Sequence, residues 1–233
     1  MEPTNSEQYR FIDLSHTIEH GMITYKGLPA PLICDYWSRA QSKQFYTGDT
    51  EFHIGKIEMV ANTGTYLDSP FHRYEDGMDL SQLPLLSLAN LEGILVQTSN
   101  NTKREISHEA FQGIDINGKA VLIHTGWDRY WGTDDYFVGH PYITKEAARF
   151  LVDSRAALIG IDSLNIDDTD DGHRPAHTII LDANIPIVEH LCGLEDLPND
   201  GFNFFAVPAK VKGFGSFPVR AFAIINQLND KDP

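Results

Sequence analysis

The stretch "ANTGTYLDSPFHRYEDG" places a carboxylate and an imidazole close together in the chain. Pro70 fits the first position of a helix, where its missing N–H costs nothing, and Ser69 then becomes the N-cap. Asp68 would lie on the entry loop and His72 in the first turn, so both side chains could converge on one point. Such a pair can act in acid–base chemistry or bind a metal ion; an ordinary surface histidine beside a capping aspartate is the alternative.

A second segment, "GHRPAHTIILDANIPIVEHL", carries His177 and Glu189. His177 is expected to start a short helix. Glu189 stands in a mostly apolar run, and a carboxylate there is costly to bury unless it is paired or coordinates a cation. The alternative for Glu189 is the exposed face of an edge strand. We interpret His173 and His190 as solvated or simply hydrogen-bonded imidazoles.

Two further side chains follow apolar strands and are candidates for contact with a substrate. Asp162 comes directly after "AALIGI", a usual location for a substrate-facing group in α/β folds. Trp127 ends "VLIHTGW" and is predicted to form a wall of a pocket for a flat substrate, although a core tryptophan fits equally well. The neighbouring acidic residues are interpreted as a solvated loop; they are Asp167, Asp168, Asp170 and Asp171.

The elements that must position these residues are mostly short β-prone runs separated by Gly, Asn, Asp or Pro. These runs include "FIDLSHTI", "LEGILVQTS", "KAVLIHTGW", "IPIVEHL", "FNFFAVPAK" and "RAFAIINQL". "EFHIGKIEMVA" alternates apolar and polar residues, which predicts a half-buried strand. "TKEAARFLVD" predicts a helix capped by Thr144, and "SHEAFQG" a short helix capped by Ser107. We therefore predict the α/β class, as a single mixed α/β domain over residues 1–233 with a mostly β core.

Composition limits the classes of function. The chain has 233 residues, of which 42% are hydrophobic and 22% charged, and its net charge of −15 disfavours nucleic acid and anionic membranes as partners. No apolar stretch approaches the roughly 18 residues of a membrane span. Cys34 and Cys192 cannot form a disulfide scaffold, and the first ten residues are polar. We expect a cytoplasmic protein that acts on a small molecule.

Taken together, these segments resemble the cyclase-like family of metal-dependent hydrolases, which includes kynurenine formamidase and isatin hydrolase. "NTGTYLDSPFH" is similar to the family's signature, and "LIHTGW", "IGIDSLNID" and "AVPAKVKGFGSFPVRAFAI" are similar to later blocks in the same order. The resemblance implies a swivelling β/β/α fold, one or two divalent metal ions, and opening of an amide, lactam or ester bond by metal-bound water. It also implies a homodimer or homotetramer.

By this resemblance, the metal-ligand positions are those of Asp68, His72, His177 and Glu189. Asn62 and Tyr66 stand where the family has histidines, which argues against a second ion, because an amide oxygen is a weak ligand and a phenol titrates near pH 10. We therefore predict one divalent ion, zinc or manganese, with an open position for water.

The same interpretation gives roles to the other residues. His72 or His177 would transfer a proton, Tyr66 would donate to a substrate oxygen, and Asn62, like Asp162 and Trp127, would contact the substrate. Two alternatives stay open. One is a metal-free binding or regulatory protein on the same fold, and the other is a cyclase or dehydratase that uses Tyr66 and His72 as an acid–base pair.

Overall fold

The computed structural model describes residues 8–100 and 102–226. The strands are β1 (Tyr9–Asp13), β2 (Leu32–Trp37), β3 (Ile54–Glu58), β4 (Tyr66–Asp68), β5 (Leu91–Gln97), β6 (Glu105–Ile106), β7 (Ala120–His124), β8 (Tyr142–Ile143), β9 (Leu158–Ile161), β10 (Ile187–Glu189), β11 (Phe202–Phe205), β12 (Ser216–Pro218) and β13 (Phe222–Asn226). The α-helices that lie wholly within these ranges are α1 (Arg39–Ser42), α2 (Lys145–Asp153) and α3 (Pro175–Asp182).

A large mixed sheet forms the centre of the described structure. Its nine strands run in the order β1-β13-β11-β5-β7-β9-β10-β4-β12. The neighbours β5, β7, β9 and β10 are parallel, whereas every other pairing in this sheet is antiparallel. Strands β4 and β10 therefore lie side by side although more than a hundred residues of chain separate them.

Side chains alternate along each strand, so the sheet separates two apolar layers. In β7, Val121 and Ile123 pack with buried residues of the helices α2 and α3. Ala120 and Leu122 of the same strand point to the opposite layer, which includes Leu14. Both faces of the central strands are thus buried, which explains why these strands read as continuous apolar runs in the sequence.

The helix predicted from "TKEAARFLVD" is confirmed. Thr144 is its N-cap, and the Thr144 side chain accepts a hydrogen bond of 3.2 Å from the backbone N–H of Ala147. "SHEAFQG" forms a 3₁₀ turn at His108–Phe111 rather than an α-helix. The Ser107 hydroxyl makes no capping bond there, because it donates to the carboxylate of Glu109 instead.

The segment 32–58, here called the arm, departs from the sequence prediction. A strand does form at Ile54–Glu58, but all of its residues are exposed, so the prediction of a half-buried strand is wrong in burial. The reason is that β3 pairs only with β2, in a separate two-stranded sheet outside the main one. The arm consequently presents large apolar side chains to solvent, including Tyr36 at 62% and Ile57 at 56% exposure.

The described residues thus form a mixed α/β domain dominated by one sheet, as the sequence predicted. The predicted domain boundaries of 1–233 extend beyond the described ranges and remain a prediction. Within those ranges, no helix has the length and the apolar character needed to cross a membrane.

Candidate metal centre

The pairing of β4 with its two neighbours brings the candidate site together. Antiparallel register places Tyr66 opposite Glu189 of β10 and Asp68 opposite Ser216 of β12. Directly opposed residues project from the same face of a sheet, so these four side chains lie next to one another. His72 follows in the 3₁₀ turn Pro70–His72, which begins with the proline that the sequence predicted at a helix start.

Asp68 is fully buried at the centre of this group. Its Oδ1 accepts a hydrogen bond from the Ser216 hydroxyl and lies 3.6 Å from His72 Nδ1. Its Oδ2 lies 3.6 Å from His177 Nε2 and is buried without a hydrogen-bond partner. A buried carboxylate oxygen that lacks a donor is costly, and a cation at that position would compensate it.

His177 is held rigidly by Asp167. The Nδ1 atom of His177 lies 2.7 Å from Asp167 Oδ2, and the backbone N–H groups of Ala176 and His177 also donate to this carboxylate. Asp167 is completely buried, so its interpretation as part of a solvated loop is wrong. With Nδ1 protonated towards Asp167, the lone pair of His177 Nε2 points at Asp68, as a metal ligand requires.

Glu189 lies beside this pair, but both of its oxygens are occupied. Oε1 is 3.6 Å from His177 Nε2 and accepts a 2.7 Å bond from the N–H of Ile166. Oε2 accepts bonds from the Tyr66 hydroxyl at 2.6 Å and from Asn165 Nδ2 at 3.3 Å. The predicted burial of Glu189 is therefore confirmed, and the exposed-edge alternative is wrong.

Ligand atoms of Asp68, His72 and His177 all lie within 4.8 Å of one another, and Glu189 is not part of this tight group. Two imidazole nitrogens and one carboxylate oxygen form a usual three-residue donor set for a catalytic zinc or a similar divalent ion. The unpartnered Oδ2 of Asp68 and the fixed tautomer of His177 fit the same conclusion. The residues present therefore fit one divalent ion.

The sequence interpretation made Tyr66 a hydrogen-bond donor to a substrate oxygen, but in the structure its hydroxyl donates to Glu189. Its side chain is 1% exposed, and its single hydroxyl hydrogen is donated to Glu189. The phenol therefore cannot at the same time donate to a substrate oxygen. Burial and the charge of Glu189 raise the pKa of Tyr66 well above its usual value, so the phenol stays neutral and is a poor metal ligand. Asn62, the other departure, lines the same cavity.

The charges of the site favour a bound cation. Burial alone would lower the pKa of His177, but Glu189, Asp167 and Asp68 outweigh burial and raise it to about 10. Burial likewise opposes ionisation of Asp68, yet the adjacent imidazoles lower its pKa. Burial raises the pKa of Glu189. Without a metal ion, the site thus retains a proton on His177 as its counter-charge.

A cavity of about 400 Å³ opens over this group, lined among others by Asn62, Tyr66, His72, His177 and Glu189. His72 is the most open member of the cluster, with 36% of its side chain exposed. The cavity is large enough for a small organic substrate.

Asp162 and Trp127 do not line this cavity. The carboxylate of Asp162 accepts hydrogen bonds from the backbone N–H groups of Thr125 and Gly126, both at 2.8 Å, and so organises the turn after β7. The indole of Trp127 donates to the carbonyl of Tyr136 at 3.0 Å. Both side chains thus bind backbone groups of the protein, and the predicted contact with a substrate in this cavity is not supported.

Sequence reasoning missed four residues that hold the site. Asp167 and Asn165 could have been identified from the sequence, because both follow the strand that ends at Ile161. Tyr25, whose hydroxyl accepts from Asn165 at 2.7 Å, comes from a distant loop. Ser216, 2.8 Å from His72 Nδ1, reaches the site through the β4–β12 pairing. No local pattern marked the last two.

The family model "Putative cyclase" matches residues 12–168. The chain belongs to the cyclase family. Its relatives include kynurenine formamidases from Geobacillus thermodenitrificans, 28% identical over 213 residues, and from Bacillus cereus, 24% identical over 221 residues. Each match covers 91% of this chain and 95% of the relative.

Two solved structures illustrate the fold that this chain shares with other proteins. Isatin hydrolase A from Labrenzia aggregata superposes with a TM-score of 0.82 at 22% identity, covering 95% of this chain and 96% of its own. A protein described as a "predicted metal-dependent hydrolase" from Bacillus stearothermophilus gives a TM-score of 0.74 at 25% identity, with 93% and 98% coverage. The comparisons confirm the resemblance inferred from the motifs and support a cyclase-family hydrolase.

Proposed function

We propose that this cyclase-family protein is a metal-dependent hydrolase that opens an amide, cyclic amide or ester bond of a small substrate. One divalent ion, zinc or manganese, would be held by Asp68, His72 and His177. The observation that carries the proposal is the buried Oδ2 of Asp68, which has no hydrogen-bond partner and faces His177 Nε2 at 3.6 Å. The names of the relatives, formamidase and isatin hydrolase, support the same class of reaction.

When bound by these residues, a divalent ion would supply polarisation of the scissile carbonyl and a lowered pKa of the attacking water. The protein's own residues supply orientation and proton transfer. Ser216 donates its hydrogen to Asp68 and therefore accepts from His72 Nδ1–H, which fixes the tautomer of His72. Because His72 and His177 then serve as ligands, proton transfer falls to Glu189, whose Oε1 lies at the site and whose Oε2 is positioned by Tyr66.

A second candidate is a metal-free binding protein on the same fold. The observation that favours it is the raised pKa of His177, about 10, since an imidazolium there can balance Asp68, Asp167 and Glu189 without an ion. The retained donor set favours the hydrolase. The two candidates differ in whether the protein purified without added metal contains an ion.

We also propose that the protein assembles through the arm as a homodimer or homotetramer. The arm exposes Tyr36, Phe45, Phe52 and Ile57 by more than half of each side chain. An apolar surface of this kind is typical of an interface. Light scattering should give at least twice the chain mass, and Ile57→Lys should shift the mass towards that of one chain. A cytoplasmic location remains a prediction.

The catalytic proposal is tested by turnover of formamides, cyclic imides and lactones. We expect the metal-loaded protein to hydrolyse at least one class, and removal of metal by a chelator to abolish that turnover reversibly. Asp68→Asn should lose both metal and turnover, whereas Asp170→Asn, the same change at an exposed aspartate of the loop that follows β9, should retain both. Undiminished hydrolysis by metal-free protein would overturn the proposal.

A further inference from the structure

The rim of the cavity carries positive charge in a strongly acidic protein. Arg73 and Arg174 line the cavity above the cluster of Asp68, His72 and His177. The chain as a whole has 33 acidic and 18 basic residues. Such an acidic surface repels anionic small molecules. The two arginines make the mouth of this cavity a local exception, where an anion is attracted.

Arg73 follows His72 directly and reaches across to helix α3. Its Nε donates to Thr178 Oγ1 at 3.3 Å, and its guanidinium lies 5.3 Å from the centre of the Tyr74 ring. Among the described residues, no carboxylate lies within 4 Å of this guanidinium. The Arg73 side chain is thus oriented by neutral groups, and four of its five N–H donors have no protein acceptor.

Arg174 stands on the other side of the mouth, as the residue that precedes helix α3. Its guanidinium donates to the backbone carbonyls of Asp168 at 3.1 Å and of Thr169 at 3.3 Å. Carbonyls orient a guanidinium without neutralising it, and no carboxylate of the described chain forms an ion pair with it. The nearby carboxylate of Asp171 is bonded to His173 Nδ1 at 2.8 Å, and the hydrogen bonds from His173, more than the charge of Arg174, lower the pKa of Asp171.

The backbone of Arg174 has an unusual conformation. Its φ of 48° lies in the left-handed region, which a residue with a Cβ rarely adopts. Such conformations cost free energy and persist where the surrounding structure imposes them, often at ligand sites. Arg174 lines the cavity, and His177, three residues later, faces Asp68.

We propose that Arg73 and Arg174 bind a carboxylate of the substrate. This inference rests on the proposed hydrolase function and narrows the substrate to an amide or ester that also carries a carboxylate. The planar fork of a guanidinium matches a carboxylate in geometry and charge. The carboxylate would lie at the rim, and the bond to be opened would lie deeper, over Asp68, His72 and His177.

The test compares the binding of benzoate and benzamide, which differ in charge but little in size. Dissociation constants are measured by ligand-observed NMR on metal-loaded protein at low salt. We expect benzoate to bind on the order of tenfold more tightly, as one charge-assisted interaction allows. Arg73→Gln and Arg174→Gln should each reduce this preference, and the double variant should remove it. Arg149→Gln, an exposed arginine of α2, should retain it.

Further variants separate binding from a purely structural role. Arg174→Lys retains the charge and should restore part of the preference, whereas a residue that only braces the loop would not show this rescue. Melting temperatures of all variants verify that they are folded. A preference that persists in the double variant, which would place the carboxylate on the metal ion, overturns the proposal. The proposal is also overturned if benzoate binds no more tightly than benzamide, or if neither compound binds.

The same protein preparations distinguish failure of the carboxylate-binding proposal from failure of the hydrolase proposal. Metal content and hydrolysis of formanilide, a neutral formamide, report on the proposed hydrolase. If both are normal and the benzoate preference is absent, only the role of the arginines fails. If metal is absent from all preparations, the hydrolase proposal itself fails.

Discussion

The hydroxyl of Tyr66 donates a hydrogen bond of 2.6 Å to Glu189 across the antiparallel pairing of β4 and β10. Tyr66 stands where related proteins are expected to carry a histidine. The phenol supplies a neutral donor to Glu189 and offers no nitrogen ligand for a metal ion. Tyr66 lines the cavity, but its only hydroxyl hydrogen is already donated to Glu189.

Replacing Tyr66 by phenylalanine should destabilise the protein. Oε2 of the buried Glu189 would retain only the 3.3 Å bond from Asn165, and an under-satisfied buried carboxylate costs about 1–3 kcal/mol. Urea denaturation should show a lower free energy of unfolding for Tyr66→Phe than for wild type. Tyr9→Phe is the matched control and should change stability little, because Tyr9 is half-buried and its hydroxyl makes no hydrogen bond to the described residues. Equal losses in the two variants would contradict the role of this bond.

Restoring both histidines should create a second metal site. Imidazoles at positions 62 and 66 would add two strong nitrogen donors beside Asp68 and Glu189. We expect Asn62→His/Tyr66→His to bind about two equivalents of zinc after dialysis, against one for wild type. Asn62→His alone and Tyr66→Phe alone should both stay at one. A double variant that remains at one equivalent would show that Tyr66 does not limit the metal count.

Stability of the metal-free protein should decrease in alkaline solution. The folded-state pKa of His177 is about 10, above its ordinary value of 6.5. A pKa raised on folding means that the folded state binds the proton more tightly, so this stabilisation is complete below pH 6.5 and is lost as the pH rises to 10. Urea titrations from pH 6.5 to 10 measure the loss. A His177→Gln variant should have a flatter profile, and identical slopes would contradict the assignment.

Asp167 should control metal affinity without being a ligand. It fixes the ring of His177 through Nδ1 and also accepts both backbone N–H groups at the start of α3. Loss of such an outer carboxylate costs about 10–100-fold in metal affinity. Competition with a chelator should show this loss for Asp167→Asn, with Asp170→Asn unchanged. An affinity equal to that of wild type would show that the helix alone orients His177.

The sequence was sufficient to predict the fold class, and the family resemblance placed Asp68, His72, His177 and Glu189 in one site. In the structure, ligand atoms of the first three lie within 4.8 Å of one another, and Glu189 lies beside them. Apolar periodicity identified the buried strands, and the apolar surroundings of Glu189 predicted its burial. The environment of Asp162 was not predictable, because strand-end aspartates face either a ligand or a backbone turn. Ser216 reaches the site only through the β4–β12 register, which local pattern does not encode.

Metal content per chain tests the central claim most directly. Protein purified without added metal is analysed by mass spectrometry for zinc and manganese, beside Asp68→Ala prepared in the same way. Because Asp68 Oδ2 is buried, unpartnered and adjacent to His177, we predict about one equivalent of divalent metal in wild type and none in the variant. Wild-type protein that contains no metal and takes up none on addition would contradict a metal centre at this site.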